Sequence, residues 1–206
     1  KSYRFPSGSE ILIPCYACPQ VALSVIYSGL MPILCDARLN DFHIDPELLE
    51  SKISRKTKAI IAVHTFAQTY PQESLKKVCK KYDLEIIEDA CQSFGSKHKG
   101  KPHGSIEKVG LTSFGTMKIV SIAEGGGAIF TNEKLIYDRI KKIVVNWDIH
   151  GNKMDLPKIM AILVSRIMLR FKKHIGIDLH HLIPSFFKFL YKFDNSVVEQ
   201  KMSEKQ

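Results

Sequence analysis

The sequence predicts an α/β protein in which helices sandwich a mostly parallel sheet, with a helical insertion near the carboxyl terminus. Short apolar runs alternate with amphipathic stretches between residues 11 and 150, and the connections between them are short. One run, residues 58–63, is apolar almost throughout, as in a strand buried on both faces. This alternation is typical of strands joined by crossover helices, and therefore of a parallel sheet.

Length and composition agree with a globular protein. The chain has 206 residues, of which 45% are hydrophobic and 25% are charged. These values exclude a disordered, collagen-like or disulfide-scaffold protein. The longest uncharged apolar run, residues 159–164, is far shorter than the roughly 20 residues that a bilayer-spanning helix needs, which argues against an integral membrane protein.

The predicted elements follow one another in order along the chain. A helix begins at Asp45, because aspartate is a favourable N-cap residue and the proline after it suits the first helical position. Another helix is predicted where Leu75, Val78 and Cys79 recur at helical spacing. Predicted strands cover residues 11–14, 32–36, 58–63, 84–87, 109–114 and 127–131, and predicted helices cover 20–27, 45–53, 71–82 and 134–144.

The insertion near the carboxyl terminus, residues 154–195, contains two apolar, basic, helix-like segments interrupted near Gly176 and Pro184. Two interpretations of it stay open. A basic amphipathic helix would lie on an anionic membrane surface and make the protein peripheral to a membrane. Packing on the sheet or on a partner subunit is favoured, because the aromatic side chains of the segment suit burial equally well.

The net charge of +9 is unevenly distributed. Residues 1–150 contain 20 basic and 16 acidic residues, whereas residues 151–206 contain 10 and 5. No zinc-finger spacing, RNP-like aromatic motif or arginine-rich run accompanies this surplus, so nucleic acid is not a predicted partner. An odd number of cysteines, five, in a chain without an export signal predicts reduced thiols and a cytoplasmic protein.

Neither of the two groups of potential metal ligands predicts a metal site. Cys15 and Cys18 have Cys-x-x-Cys spacing, but a zinc site needs four ligands and the sequence has no second pair. They are interpreted instead as part of a loop near the substrate. His180 and His181 are adjacent, so their side chains would point apart on a helix.

The ends of the predicted strands are the first places to look for a site. In open parallel sheets, ligands bind beyond the carboxyl ends of the strands. His64 ends a buried strand there. Two interpretations of it are about equally supported: that it contacts substrate or cofactor, and that it is a packed, hydrogen-bonded histidine. The residues at these ends are Pro14, Asp36, His64 and Asp89.

Asp89, Ser113 and Lys118, followed by a glycine triplet at 125–127, match the parts of a pyridoxal phosphate (PLP) site. A lysine that loses its proton readily binds the aldehyde of the cofactor covalently. A carboxylate keeps the pyridine nitrogen protonated, and a hydroxyl with backbone N–H groups holds the phosphate. No Gly-Lys-Ser/Thr follows the triplet and no Gly-x-Gly-x-x-Gly follows a strand, which disfavours a nucleotide P-loop and a Rossmann site.

Four segments then carry a resemblance to a known family. They are IEDACQSFG at residues 87–95, GKPHGS at 100–105, TSFGTMK at 112–118 and AEGGGA at 123–128. In order and spacing they resemble the sugar aminotransferases of the DegT/DnrJ/StrS family, and the match runs from near Ser9 to near Trp147.

The resemblance implies a fold-type I PLP enzyme that acts as a homodimer in its full-length form. Such an enzyme moves an amino group from an amino acid, usually glutamate, to a keto-sugar carried on a nucleotide, in polysaccharide or secondary-metabolite synthesis. The resemblance also implies that Lys118 is the Schiff-base lysine and proton shuttle, and that Asp89 pairs with the pyridinium nitrogen. Gln92 would lie against the hydroxyl side of the ring, and Ser113 would bind the phosphate.

The sequence departs from the family pattern at three positions. Cys91 stands where the family usually has an alanine beside the ring, and a thiol there is open to oxidation. Ala67 replaces a usual glycine after the strand that ends at His64. Glu199 stands where an asparagine normally reaches a phosphate across the dimer, and a carboxylate would repel that phosphate.

The resemblance also predicts that the chain is part of a longer protein. It begins at Lys1 rather than at methionine, and the phosphate-binding element expected before the first strand is absent. Residues 1–150 are predicted to be the PLP-binding large domain without its amino-terminal part, and residues 151–206 the insertion and the start of a connection to a small domain. The alternative hypothesis is a catalytically inactive relative that acts as a binding or regulatory protein.

Overall fold

The computed structural model describes residues 3–115, 118–121 and 126–145 of the chain. All of these residues belong to one compact unit, residues 1–150. The insertion predicted over 154–195 and the family position at Glu199 lie outside the described residues, so both remain predictions.

The described elements alternate along the chain as the sequence predicts. The strands are β1 (Glu10–Pro14), β2 (Met31–Cys35), β3 (Thr57–Val63), β4 (Glu85–Asp89), β5 (Lys97–His98), β6 (Lys101–Pro102), β7 (Val109–Ser113) and β8 (Gly127–Thr131). The helices are α1 (Pro19–Tyr27), α2 (Pro46–Leu49), α3 (Gln72–Tyr82) and α4 (Lys134–Val145).

Six of the described strands form one sheet in the order β2-β1-β3-β4-β7-β8. Every neighbouring pair is parallel except β7 and β8, which are antiparallel. The α/β fold with a mostly parallel sheet is therefore confirmed. The chain runs from β1 to β2 on one side and returns to β3 on the other, which opens a crevice at the carboxyl ends of β1 and β3.

Helices cover both faces of this sheet, and the alternation of strand side chains assigns each residue to a face. Leu12, Ile60 and Ile86 pack with apolar residues of α2 and α3 on one face. Ile13 and Ile61 pack with apolar residues of α1 on the other. Each strand residue therefore lies on either the α3 face or the α1 face.

Two local predictions differ from the structure. The helix predicted over 45–53 does begin at Asp45, whose carboxylate accepts a hydrogen bond from the Glu47 N–H. Its α-helical part ends at Leu49, however, and a 3₁₀ turn leads to Ile53 in extended backbone, which directs the chain into β3.

The glycine- and proline-containing segment at 100–104 indicates a turn, and in the structure it belongs to a small hairpin formed by β5 and β6. Lys99 and Gly100 connect these strands, and both have positive φ angles, 48° and 81°. Positive φ at both central residues is the requirement of a type I′ hairpin turn. Strands of two residues are too short to produce an apolar pattern, so the sequence indicates only the turn.

Candidate active site at the carboxyl edge of the sheet

Consecutive acidic residues at the end of β4 point to opposite faces of the sheet. Glu88 shares the α3 face with Ile86, and Asp89 shares the α1 face with Ile87. Both carboxylates are buried. The two faces therefore present two different arrangements of polar side chains at the same end of the sheet.

Asp89 lies at the carboxyl end of a central strand. Its Oδ1 accepts a hydrogen bond of 2.9 Å from the backbone N–H of Cys91. The backbone around it is held on both sides, because its carbonyl accepts from the His64 N–H and the next residue, Ala90, donates to the Leu111 carbonyl. The carboxylate is thus placed by rigid elements.

Ser113 lies on the same face as Asp89. The register of β4 and β7 pairs Asp89 with Leu111, and Ser113 follows two residues later, with the same orientation and closer to the carboxyl edge. Its hydroxyl accepts a hydrogen bond of 3.3 Å from the Gly115 N–H. The chain after β7 therefore folds back over this hydroxyl.

Lys118 returns to the vicinity of Ser113. Its backbone N–H donates to the Gly115 carbonyl at 3.0 Å. A Cβ placed on Gly115 would lie 3.6 Å from the Ser113 hydroxyl and 3.9 Å from Cγ of Lys118, so the serine and the lysine border the same small space. Lys118 is half-buried, which suits an amine that must bind a ligand covalently.

Cys91 lies in the loop that follows Asp89, and the charges of Asp89 and Lys118 have opposite effects on the pKa of its thiol. Burial is the largest cause that raises the pKa of Cys91, the Asp89 carboxylate raises it further, and the Lys118 ammonium opposes this shift. The thiol is therefore protonated at neutral pH. The thiolate is the reactive form of cysteine, and oxidation of Cys91 stays a prediction.

Gln92 connects two of the loops at this edge. Its Oε1 accepts a hydrogen bond of 3.2 Å from the backbone N–H of Phe66 in the loop after β3. Phe66 and Ala67 have φ angles of 52° and 63°, in the left-handed region. Ala67 is the position where the family usually has glycine, and the backbone conformation gives the physical reason for that preference.

His64 is not brought together with Asp89, Ser113 and Lys118, because it points to the α3 face. Its side chain is completely buried, and its Nε2 lies 2.8 Å from Oε1 of Glu88. Its ring stacks on that of His103, with centroids 3.7 Å apart, and is tilted against Tyr70. Of the two interpretations left open by the sequence, these contacts agree with the packed, hydrogen-bonded histidine and not with contact to a substrate.

A buried network of hydrogen bonds surrounds Glu88, and the sequence did not indicate it. Besides His64, its carboxylate accepts hydrogen bonds from the backbone N–H groups of Gly104, Ile106 and Glu107 at 2.6, 2.8 and 3.2 Å. Burial alone would raise the pKa of Glu88, but these four donors lower it overall. Most of the donors are backbone groups, which leave no signal in the sequence.

Among the described residues, no group of three or more His, Cys, Asp or Glu side chains is arranged to hold a metal ion. All five cysteines are free thiols, and Cys15 and Cys18 are exposed. Within the same part of the chain, no helix has the length and apolarity needed to cross a membrane.

Asp89 and Ser113 on the α1 face, together with the neighbouring Lys118, fit PLP in their chemistry. A buried carboxylate, a hydroxyl beneath a glycine backbone and a half-buried amine lie at the carboxyl edge of one sheet. These groups match the pyridinium nitrogen, the phosphate and the aldehyde of that cofactor. Fold and site together define an α/β domain with a lysine–carboxylate–hydroxyl site beyond its strand ends.

Comparison with known proteins agrees with this class. The family model of the DegT/DnrJ/EryC1/StrS aminotransferase family matches residues 3–162, and the chain belongs to this family.

Two curated relatives and one solved structure illustrate the similarity. A dTDP-3-amino-3,6-dideoxy-alpha-D-galactopyranose transaminase of Aneurinibacillus thermoaerophilus is 33% identical over 158 residues, covering 77% of this chain and 43% of the relative. A UDP-2-acetamido-2-deoxy-3-oxo-D-glucuronate aminotransferase of Pseudomonas aeruginosa is 35% identical over 136 residues, covering 66% and 38%. A proposed sugar aminotransferase of Streptococcus pneumoniae, solved in its PLP form, has 28% identity and a TM-score of 0.60, covering 66% of this chain and 39% of that one. The chain therefore spans less than half the length of these relatives.

Proposed function

We propose that this chain supplies the cofactor-binding part of a PLP-dependent aminotransferase. The enzyme transfers an amino group from an amino acid, with glutamate as the first choice of donor, to a keto-sugar carried on a nucleotide, for polysaccharide or secondary-metabolite synthesis. The observation that carries the proposal is that Asp89 and Ser113 share one face at the carboxyl edge of the sheet and that Lys118 borders the same small space as the Ser113 hydroxyl. Relatives that act on dTDP- and UDP-linked sugars support the choice of acceptor.

Each residue has a defined task in this proposal. Asp89 holds the proton on the pyridine nitrogen, and Ser113 donates a hydrogen bond to the phosphate. Gln92 would lie against the hydroxyl side of the ring. Lys118 would hold the cofactor covalently and would carry a proton to and from the carbon that bears the amino group. PLP itself supplies the electron sink that makes this carbon acidic.

The domain organisation and the partners belong to the same proposal. Residues 1–150 form the cofactor-binding large domain, and residues 151–206 form the insertion and the start of the connection to a small domain. The partners are a nucleotide-sugar, an amino-acid donor and a second copy of the full-length protein.

Loading the purified chain with PLP tests the proposal. We expect the visible absorbance of lysine-bound PLP and, after borohydride reduction, a covalent adduct that mass spectrometry places on the peptide containing Lys118. The Lys118→Ala variant is expected to lose both signals. Lys80→Ala, which changes an exposed lysine on α3, is the matched control and is expected to keep both.

A parent chain that gives neither absorbance nor adduct contradicts the proposal and favours the inactive relative. An adduct on another lysine, with Lys118→Ala unchanged, contradicts the role of Lys118. With loaded protein, addition of glutamate is expected to release 2-oxoglutarate and to remove the visible absorbance, which tests the choice of donor separately.

A further inference from the structure

Three aromatic side chains form an exposed cluster next to the candidate active site. Tyr16, Phe42 and Phe66 are 47%, 40% and 58% exposed. The ring centroid of Tyr16 lies 4.9 Å from that of Phe42 and 6.0 Å from that of Phe66, and the latter two rings meet edge to face at 6.0 Å. Large apolar side chains that gather at the surface instead of in the core mark a binding surface. We call these three residues the aromatic cluster.

The aromatic cluster lies at the crevice that the strand order creates. Tyr16 follows the carboxyl end of β1, and Phe66 follows that of β3. Phe42 comes from the turn between β2 and α2. The strands β1 and β3 flank the point at which the strand order reverses, where ligands bind in sheets of this type.

The backbone holds two of these rings in place at a conformational cost. Phe42 and Phe66 have φ angles of 60° and 52°, which are uncommon for bulky residues. The turn that carries Phe42 is braced by a hydrogen bond of 3.2 Å from Arg38 to Asp41 and by a β-bridge between Ala37 and Ile44. Strained residues of this kind persist where the surrounding structure fixes them, and they concentrate at functional sites.

A direct hydrogen bond joins the aromatic cluster to the candidate active site. The backbone N–H of Phe66 donates to Oε1 of Gln92, in the loop that follows Asp89. The aromatic cluster and the loop that follows Asp89 and carries Gln92 are therefore direct neighbours at the carboxyl edge of the sheet.

We propose that the aromatic cluster binds the nucleobase of the nucleotide-linked sugar by stacking while the sugar reaches Lys118. The choice of a nucleotide as the ligand rests on the function proposed above. Aromatic side chains stack on any base, because every base has a π face. The site is therefore expected to hold the base without reading its edge, so that dTDP, UDP and GDP bind with affinities within about tenfold of one another.

The test is the binding of dTDP, UDP and GDP to the full chain, measured by calorimetry and by saturation-transfer NMR. We expect stronger saturation of the base protons than of the ribose protons. Tyr16→Ala and Phe42→Ala are each expected to weaken binding by about tenfold, in line with the loss of one stacking partner. Tyr27→Ala is the matched control, because Tyr27 is 53% exposed and ends α1 at the opposite edge of the sheet.

Three results would overturn the inference: unchanged affinity in both cluster variants, an equal loss in Tyr27→Ala, or a cluster variant that dissociates an oligomer in sedimentation while its nucleotide affinity is unchanged. The last result would assign the cluster to a subunit contact.

PLP absorbance of each variant separates this inference from the proposed function. If nucleotides bind through the aromatic cluster but PLP does not bind, the inference is retained and the aminotransferase proposal is rejected. If PLP binds but nucleotide binding does not depend on the cluster, the aminotransferase proposal is retained and the inference is rejected.

Discussion

Ala67 illustrates how a single residue stores strain beside the candidate active site. Its φ of 63° belongs to the left-handed region, where an L-residue with a Cβ costs about 1–2 kcal/mol relative to the right-handed conformation. The side chain is exposed, so no packing contact compensates for this cost. The strain comes with the loop geometry that lets Phe66 reach Gln92.

Replacing Ala67 with glycine is expected to stabilise the protein. The Ala67→Gly change removes the Cβ from a left-handed position, and we expect the free energy of unfolding to rise by about 0.5–1 kcal/mol after the entropy of the unfolded chain is included. Urea denaturation measures the change. Ala22→Gly, in the interior of α1, is the control and is expected to lower the same quantity by about 1 kcal/mol. A drop in stability for Ala67→Gly would contradict the strain argument.

A second prediction, on how the stability of the protein depends on pH, is based on His103. Burial, and then the neighbouring His64, lower the pKa of His103 to about 4 from an ordinary value of 6.5. Between pH 4 and 6.5 the unfolded chain therefore binds more protons at this residue than the folded one does. The contribution of His103 is fully present above pH 6.5 and is lost as the pH falls towards 4.

We expect the free energy of unfolding of the parent chain to fall between pH 7 and pH 5. In His103→Gln this fall is expected to be smaller, because the group that gains a proton on unfolding is gone. His98→Gln, in the nearby hairpin, is the control. Equal pH dependence in His103→Gln and the parent, measured by urea titrations at both pH values, would contradict the role assigned to His103.

At the scale of elements, β4 and β7 show what an apolar pattern predicts and what it leaves open. The pattern places a strand over 84–87 and another over 109–114, close to the observed Glu85–Asp89 and Val109–Ser113. It does not show that Gly110 pairs with Glu88 or that Gly104 lies over Gly110. The contact between Gly104 and Gly110 depends on the turn that connects the β5–β6 hairpin to β7. Backbone N–H groups of this turn donate hydrogen bonds to the Glu88 carboxylate.

Gly110 is therefore expected not to tolerate a larger side chain. A Cβ at this position would overlap the carbonyl group of Gly104 and lie 2.7 Å from its Cα. We expect Gly110→Ala to displace the turn from Glu88 and to lower the free energy of unfolding by about 3 kcal/mol, from the clash and the lost hydrogen bonds.

Urea denaturation measures this change too, and Gly115→Ala is its control. A Cβ at Gly115 makes only ordinary van der Waals contacts, the nearest at 3.6 Å, so a change within about 1 kcal/mol is expected. Similar values for the two alanine variants would show that the close approach at Gly110 has no energetic importance.

At the scale of the whole molecule, more than half of the net positive charge lies in residues 151–206, which include the predicted insertion. Residues 151–206 contribute 10 basic and 5 acidic residues to the net charge of +9. This segment lies outside the described residues. Contact with a membrane and burial against protein therefore both stay predictions. The family match covers residues 3–162 and therefore includes all of the described residues, but only the first part of the basic segment.

The sequence by itself determined the fold class, nearly all strand and helix positions and the residue types of the candidate active site. These depend on short-range properties, namely side-chain periodicity, caps and the spacing of Asp89, Ser113 and Lys118 along the chain. Only the tertiary structure decided that Glu88 binds His64 and the turn on the opposite face, that His64 is buried and that three distant aromatic residues meet. These outcomes depend on which helix covers which face and on how strands pair, and such contacts join residues far apart in the chain.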